Sequence, residues 1–391
     1  MRITQNTIYN SAIRQVQLAT QRLMEKQEIV STQKQINRVS DDPVSALRVL
    51  DLDHLIGQVE QFERNIDRVG SLLDIYDTTL NQVTEILTQA KELVLGEASN
   101  AQSTTDTREA AAVELISLLQ EMVQLANYKF DGRYIFAGTL DNLPAFTGID
   151  AAITPDAGNT SDATATVTVS NPVDMNMGDT YEIIFTAPAT FDVMNTATGA
   201  TVLTGETYVS GDSISFDGLQ VVIEDGTLAP AAGDLFQIQV AVPGVYLGNS
   251  QAQQVEIESD NFVPMNFTGD AVFQGAGLSG GEDIFALLNE AVEALRDGDV
   301  IAIDALLDRF DQGISQSGTF LATVGTRQGA VDSASSRLTN VKLGFKTLKS
   351  DLEDADITDA IVEYNQAQLA YEASLQAAGE SMQISLLDFL R

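Results

Sequence analysis

Residues 52–94 read LDHLIGQVEQFERNIDRVGSLLDIYDTTLNQVTEILTQAKELV. Apolar side chains recur in this stretch in alternating steps of three and four residues, which is the heptad pattern of a helix that packs along one stripe. The stripe consists of Leu52, Leu55, Val59, Phe62, Ile66, Val69, Leu73, Tyr76, Leu80, Val83, Leu87, Ala90 and Val94. At 1.5 Å per residue it is about 65 Å long, which predicts one helix that needs partner helices for its stability.

The sequence also marks where this helix begins. Ser40-Asp41-Asp42-Pro43 precedes the stripe. An aspartate carboxylate can accept hydrogen bonds from the free N–H groups of a first helical turn, and proline is tolerated at the first helical position because it lacks an N–H. We therefore predict that the helix begins at Pro43.

Two further apolar stripes predict helices on either side of the chain's middle. The shorter one predicts a helix near residues 107–128 and consists of Ala112, Leu115, Leu119, Met122 and Ala126. The longer one, interrupted only by Arg327, consists of Phe320, Val324, Val331, Ala334, Leu338, Val341, Phe345, Leu348, Leu352 and Ala355. An acidic stretch at residues 351–356 then predicts a break between two helices, with Asp356 or Thr358 as the N-cap of the last one.

From about residue 133 to 281, the middle of the chain has a different residue pattern. Short Val, Ile, Thr and Phe runs are separated by Gly, Asn, Asp and Pro, which is typical of strands and turns. The predicted strands are 163–169, 181–185, 213–216, 220–223 and 235–242, with Asp217-Gly218 and Asp225-Gly226 as turn signals. These runs predict a small antiparallel sandwich or barrel.

The predicted fold is therefore mainly α with a β insert. The N- and C-terminal segments together form a long antiparallel helical bundle or coiled coil, and a central antiparallel β domain loops out between them. We divide the chain into terminal helical segments (residues 1–40 and 357–391), a discontinuous helical bundle (41–132 and 282–356) and an outer β-rich insert (133–281).

The two chain ends are predicted to be amphipathic helices with thin apolar stripes. Residues 1–40 carry six basic and two acidic side chains, whereas residues 357–391 carry one basic and five acidic. Such helices are marginal alone, so we expect them to order on association; the alternative is that they dock on their own domain. The predicted assembly interface is Ile13, Val16, Leu23, Val30, Ile361, Tyr364, Leu369, Leu375, Met382, Leu386 and Leu390.

Composition argues against several classes of function. The net charge is −35, and no Lys or Arg lies between Arg133 and Arg296, so we expect no nucleic-acid binding. The chain has no cysteine, and hence no disulfides or thiolate metal sites. Its N-terminus lacks the apolar core of a cleaved signal peptide, and no stretch approaches the roughly 20 apolar residues of a membrane span, so we expect no membrane insertion.

We find no residues that predict catalysis, a cofactor or a metal. His54 is the single histidine, and no second His or Cys is available for a zinc site. Residues 275–280 fit the Gly-x-Gly-x-x-Gly dinucleotide pattern after a predicted short strand, Val272-Phe273. The sequence after Asp299 reads as a helix where that fold requires a buried parallel strand, so we predict a hinge and no enzyme.

Both chain ends resemble the bacterial flagellin family. Residues 33–43, QKQINRVSDDP, resemble its N-terminal signature, and residues 356–391 resemble its C-terminal helix. Pro43, the stretch FDGRYIFAG at residues 130–138, and YLGN at 246–249 followed by FQG at 273–275 are similar to the hook-associated branch of the family. Residues 140–245 carry no resemblance.

The resemblance implies a structural subunit at the junction between flagellar hook and filament, with the terminal helices in an inner tube layer and the β insert outermost. It also implies a ring of identical copies between hook-associated protein 1 and flagellin. Export through the flagellar type III route without a cleaved signal peptide, and a chaperone on the C-terminal helix, are implied as well. Filament flagellin is the alternative, and a secreted adhesin that binds through the β insert is a less favoured one.

Overall fold

A computed structural model describes the backbone of residues 5–98 and 103–389 and the side chains of residues 10–98 and 103–380. The helices are α1 (Gln5–Thr32), α2 (Pro43–Glu97), α3 (Thr105–Ala126), α4 (Gly269–Gln274), α5 (Ile284–Asp297), α6 (Val300–Glu353) and α7 (Ile357–Phe389). The strands are β1 (Lys129–Phe130), β2 (Arg133–Tyr134), β3 (Ala151–Pro155), β4 (Thr164–Val169), β5 (Thr180–Ala187), β6 (Thr190–Asn195), β7 (Thr201–Thr207), β8 (Ser213–Phe216), β9 (Leu219–Glu224), β10 (Leu235–Val240), β11 (Gln254–Glu258) and β12 (Asn261–Pro264). The prediction of a mainly α fold with a β insert is confirmed.

Two of the predicted helix starts are confirmed. Asp42 Oδ1 accepts hydrogen bonds from the backbone N–H of Val44 and Ser45, at 3.0 and 3.2 Å, and α2 begins at Pro43. The Ser45 hydroxyl and then its backbone N–H hold the pKa of Asp42 below its usual value. Asp356 caps α7 in the same way, because its Oδ1 accepts from Thr358 N at 2.8 Å.

The chain forms two compact units. The terminal unit comprises residues 1–66 and 333–391, and the central unit comprises residues 67–332, so α2 and α6 each contribute to both. In the terminal unit, Lys342 contacts Glu63 at 2.6 Å and Lys349 contacts Asp53 at 2.5 Å. These pairs show that α2 and α6 run antiparallel there.

In the central unit the heptad stripe of α2 is fully buried. Eight of its side chains have no exposed surface, namely Val69, Leu73, Tyr76, Leu80, Val83, Leu87, Ala90 and Val94. Lys91 contacts Asp311 at 2.6 Å and Gln328 contacts Asp74 at 3.0 Å, so α2 and α6 are antiparallel in this unit too. The stripe of α3 is buried as predicted.

The β insert contains a sandwich of two antiparallel sheets. One has the strand order β3-β10-β5-β6-β7 and the other the order β4-β9-β8. Their inner faces share one core, to which the first sheet contributes Tyr181, Ile183, Phe185, Phe191, Val193, Phe236 and Ile238 and the second contributes Phe216, Leu219, Val221 and Ile223. The turn signal at Asp217-Gly218 joins β8 to β9, and both residues have positive φ, 40° and 73°.

One predicted strand is wrong. Val272 and Phe273 lie in the short helix α4, which ends where Gly275 adopts the left-handed conformation with φ 65°. Both side chains are fully buried. An apolar pair of two residues cannot distinguish a buried helical turn from a strand.

Candidate assembly site

Helices α1 and α7 form an antiparallel pair in the terminal unit. Lys26 contacts Glu363 at 2.7 Å, and an antiparallel bridge joins Lys34 to Asp354 where the helices meet their neighbouring segments. The pairing covers two stripes with heptad steps, Ala12, Val16, Ala19, Leu23, Lys26 and Val30 on α1 and Ala360, Tyr364, Ala367, Tyr371, Ser374 and Ala378 on α7. Six of these twelve positions are Ala or Ser, so the pair buries less apolar area than stripes of Leu and Val would.

The structure places the predicted interface residues on two different surfaces. Ile13, Val16, Leu23, Val30 and Tyr364 are half-buried in the α1–α7 pair. In contrast, the exposed side chains are Ile361, Leu369 and Leu375, of which Leu369 is 72% exposed. The side chains of Met382 and Leu386, and all of Leu390, lie outside the described residues.

The terminal unit exposes much apolar surface. It holds less than a third of the chain, yet 15 of the 27 exposed large apolar side chains among the described residues belong to it. On α1 and α7 these are Leu18, Met24, Ile357, Ile361, Val362, Leu369 and Leu375, and on α2 and α6 they include Val44, Leu47, Leu50, Leu55, Val341, Leu343 and Leu348. Such a concentration of exposed apolar side chains favours an interaction surface in this unit.

Leu18, Met24 and Val362 were missed by the sequence analysis. They lie off the single heptad stripe that was traced on each helix, on the side that points away from the partner helix. A second apolar stripe on an already amphipathic helix would have indicated them.

The central unit contains a second notable site, a joint where the β insert leaves and re-enters the helices. The Tyr76 hydroxyl of α2 donates to Ile135 O at 2.5 Å and accepts from Phe267 N at 3.3 Å, so one buried side chain holds both connecting segments. The Tyr246 hydroxyl lies within hydrogen-bond distance of two backbone oxygens, Phe136 O at 3.0 Å and Asn249 O at 2.8 Å. Burial raises the pKa of Tyr246 to about 12.

Arg327 explains the single interruption of the α6 stripe. Its guanidinium donates to the backbone oxygens of Pro264 and Asn266, at 3.1 and 3.2 Å, and lies 4.0 Å from the centre of the Phe267 ring. Burial lowers its pKa. The arginine therefore fastens the returning strand to the helix.

The segments that resemble the hook-associated branch meet in this joint. Gly138, with φ 70°, lies so close to Asn249 that a Cβ atom would come within 2.0 Å of Asn249 O. Asn249 Oδ1 accepts from Thr139 N at 2.9 Å, and Phe136 contacts Phe273 edge to face at 5.0 Å. Residues 130–138, 246–249 and 273–275 are thus parts of one packed structure.

The structure adds no chemical site in the part of the chain it describes. Among the described side chains, those of residues 10–98 and 103–380, no group of three or more His, Cys, Asp or Glu is placed to hold a metal ion. None of the helices in those ranges is long and apolar enough to cross a membrane. The glycine-rich residues 275–281 form a tight turn, in which Gly281 packs against Gly275 O.

Comparison with known proteins matches both ends of the chain. The models of the bacterial flagellin N-terminal and C-terminal helical regions match residues 3–141 and 307–390, together more than half of the chain. The flagellar hook-associated protein 3 of Escherichia coli (strain K12) is 21% identical over 99% of this chain and 98% of its own length. That of Salmonella typhimurium is 28% identical over 35% of this chain and 44% of its own length.

One solved structure supports the fold. A Vibrio parahaemolyticus protein that is described as a flagellar hook-associated protein aligns over 80% of this chain and 100% of its own, with 16% identity and a TM-score of 0.51. The predicted resemblance is confirmed, and the chain belongs to the bacterial flagellin family, whose members build the flagellum.

Proposed function

We propose that this chain is the structural subunit that joins the flagellar hook to the filament. The observation that carries the proposal is the match to hook-associated protein 3 over 98% of that protein's length, with the β insert included in the alignment. The exposed apolar surface of the terminal unit supports it, since a subunit of an assembly needs such surface and an isolated protein does not.

Assembly proceeds through the terminal helices in this proposal. The half-buried residues Ile13, Val16, Leu23, Val30 and Tyr364 hold α1 and α7 together, and Ile361, Leu369 and Leu375 offer their side chains to neighbouring copies. Burying one such leucine contributes about 1.5–3 kcal/mol, a gain repeated in every copy of a closed ring. The division into an inner layer (1–40, 357–391), a bundle (41–132, 282–356) and an outer insert (133–281) remains a prediction.

The remaining parts of the proposal concern partners and export. The ring lies between hook-associated protein 1 and flagellin, and the protein has no enzymatic activity. It leaves the cell through the flagellar type III route, with a chaperone on the C-terminal helix. The exposed apolar side chains of α7 support a chaperone, because they need shielding before assembly.

Deletion of the gene, followed by electron microscopy, tests the proposal. We expect hooks without filaments and flagellin shed into the medium, with both restored by the gene on a plasmid. Normal filaments on the deletion strain would contradict the junction role.

Filament flagellin is the second candidate, because the two matching family models describe flagellin helical regions. Purified protein that grows into long filaments alone would favour flagellin. A junction subunit forms at most short or ring-like assemblies.

A further inference from the structure

An open hollow lies on one side of the α1–α7 pair. Its volume is about 220 Å³, and its lining includes Leu18 and Ala19 of α1 and Ala367, Ala370 and Ser374 of α7. The space arises because four of these five side chains are Ala or Ser. An apolar cavity of about 150 Å³ can hold a benzene ring, so this hollow has room for a large aliphatic side chain.

Arg22 also lines the hollow and is the only charged residue in that lining. It is exposed and has no hydrogen-bond or ion-pair partner among the described residues. Lys26, one turn further along α1, is already paired with Glu363. The hollow therefore carries one guanidinium group that is free to bind a carboxylate, and its lining contains no acidic side chain that would compete.

The opposite side of the pair carries an exposed apolar side chain. Successive residues of a helix are about 100° apart, so Leu375 lies about 140° round α7 from Ala370. The side chains that face α1, namely Tyr371, Ser374 and Ala378, lie between these two directions. Leu375 is 45% exposed. It therefore projects from the side of the pair that does not contain the hollow.

A carboxylate accompanies Leu375 on that side. Glu372, one turn earlier on α7, is exposed, and its one hydrogen bond among the described residues comes from Gln368 Nε2 at 3.3 Å, which leaves its charge unpaired. The described side chains of α7 include four carboxylates and neither Lys nor Arg. One side of the pair thus presents an aliphatic side chain with a carboxylate, and the other side presents a hollow with a guanidinium group.

The spacing of these two sites along the helices is the same. The ion pair between α1 and α7 fixes their antiparallel register, in which Arg22 is level with Ala367. Ala370 lies three residues beyond that level, and Leu375 lies three residues beyond Glu372. Both separations are about 4.5 Å, at 1.5 Å per residue. A second copy in the same orientation can therefore place Leu375 at the hollow and Glu372 near Arg22 at the same time.

We propose that the hollow of one copy receives Leu375 of a second copy of this chain, while Arg22 pairs with Glu372 of that second copy. The inference rests on the proposed function, in which copies associate through α1 and α7. One copy contributes the hollow and its neighbour the leucine, so the contact is head-to-tail and repeats around a ring. Because the hollow lies between α1 and α7, a copy can receive its neighbour only after its own two helices have paired.

Complementary variants of the full-length chain test the contact. Ala370→Leu fills the hollow and Leu375→Gln removes the inserted side chain, so each variant alone should self-associate about 10- to 100-fold more weakly in sedimentation velocity. Their mixture should form one-to-one complexes and nothing larger, because a mixed pair keeps one intact contact. Ala373→Leu, at an exposed position one turn along α7 and outside the lining, is the matched control and should leave self-association unchanged. Circular dichroism checks that each variant is folded.

Charge exchange tests the ion pair. Arg22→Glu should weaken self-association about tenfold at low salt, because one attraction becomes a repulsion. Adding Glu372→Arg should restore it, and salt should reduce the difference between Arg22→Glu and wild type. Arg14→Glu makes the same charge change on α1 outside the lining of the hollow and should weaken self-association less.

Disulfide trapping detects the contact even when it is short-lived, because the chain has no cysteine of its own. Ala370→Cys and Leu375→Cys are made in separate chains of different mass and mixed, so a mixed disulfide dimer joins two copies. The control pairs Ala370→Cys with Leu369→Cys, whose position is more exposed, at 72%, but lies on another side of α7. We expect the first pair to form mixed dimers faster than the control.

The contact is overturned if the Ala370–Leu375 pair cross-links no faster than the control and the mixture of Ala370→Leu with Leu375→Gln associates no better than either variant alone. The junction role is judged separately, by the deletion strain. A strain without filaments that is fully rescued by the Arg22→Glu chain, together with those two results, would reject the contact and leave the junction role standing. Normal filaments on the deletion strain, with faster cross-linking than the control, would do the reverse.

Discussion

The same helical pattern is partly exposed in one unit of this protein and buried in the other. The heptad stripe of α2 runs without interruption from Leu52 to Val94, yet Leu55 in the terminal unit is exposed and Val94 in the central unit is fully buried. The terminal unit is nearly balanced in charge and rich in exposed apolar side chains, whereas the central unit is strongly acidic and closed around its core. A periodic stripe thus predicts that a helix has partners, and surface charge helps to indicate whether those partners lie within the chain.

We expect the largest loss of stability when the joint in the central unit is disrupted. Tyr76 is fully buried, and its ring contacts Phe136 and Phe267 edge to face at 5.3 and 5.1 Å. We expect Tyr76→Ala to lower the free energy of unfolding by about 3–5 kcal/mol, because it leaves a cavity and two backbone groups without their partner. Urea unfolding followed by circular dichroism measures it.

Two control variants accompany that measurement. Tyr76→Phe keeps the ring and should cost about 1–3 kcal/mol for the lost hydroxyl. Leu343→Ala, at a position of the terminal unit that is 64% exposed, should change the unfolding free energy by less than about 0.5 kcal/mol. Equal losses for Tyr76→Ala and Leu343→Ala would show that the two units do not differ in the way described.

A smaller effect is expected at Gly138, where the exit of the β insert meets its return. An added Cβ would clash with Asn249 O, and the backbone has φ 70°. Gly132, nearby in the same segment, has φ 77° but open space around it. Gly132→Ala should therefore cost about 1–2 kcal/mol for the backbone conformation alone, and Gly138→Ala should cost more.

Thermal unfolding of both variants separates backbone strain from close packing. Equal melting temperatures would mean that the approach of Gly138 to Asn249 contributes nothing to the stability of the joint.

The helices of the fold could be predicted from the sequence, because their signals are local. The stripe of α2, the Asp42-Pro43 start and the Asp356 cap each lie within a few residues of the structure they specify. The register of the β insert depends instead on contacts between distant residues. Strands β3, β6, β7, β11 and β12 were among those missed, and β3 pairs with β10, more than 80 residues away.

The exposed apolar surface of α1 and α7, which we propose as the assembly surface, could be traced from the sequence only in part, for a related reason. A heptad stripe identifies the side of a helix that is covered, and it led to Val16 and Leu23. It does not indicate that a second side, with Leu18 and Met24, stays apolar and exposed. Arg327 interrupts its stripe because it binds backbone oxygens that lie far from it in the sequence.

An acid titration would sharpen the comparison within the central unit. Hydrogen bonds from the Thr227 hydroxyl and the Leu228 N–H lower the pKa of Asp162 to about 2. For Asp234, burial alone would raise the pKa, but the Ala231 and Thr160 N–H groups outweigh it and lower the value to about 2. A lowered pKa means that these carboxylates stabilise the fold at pH values above the pKa that they have in the unfolded chain. This stability is lost as the pH falls from about 4 towards 2.

We therefore expect the β sandwich to lose near-ultraviolet circular dichroism in that pH range. The variant Asp162→Asn should be less stable at neutral pH and should respond less to acid. Asp212→Asn, at an exposed position of the same insert, is the matched control. If both variants titrate like wild type, the Asp162 hydrogen bonds do not hold the sandwich together.

The smallest effect on stability, and a large one on assembly, is expected at Leu369. Its side chain is 72% exposed on α7, so Leu369→Gln should change the unfolding free energy by less than about 0.5 kcal/mol. Leu23→Gln, at a half-buried position of the α1–α7 pair, is the contrasting change and should weaken the pair itself, detected as faster amide exchange in residues 12–30. In cells lacking the wild-type gene, Leu369→Gln should yield folded, exported protein that fails to restore filaments, because the apolar contact with neighbouring copies is lost. Normal motility with Leu369→Gln would show that the exposed side of α7 is not an assembly surface, and would leave the α1–α7 stripe as the remaining candidate.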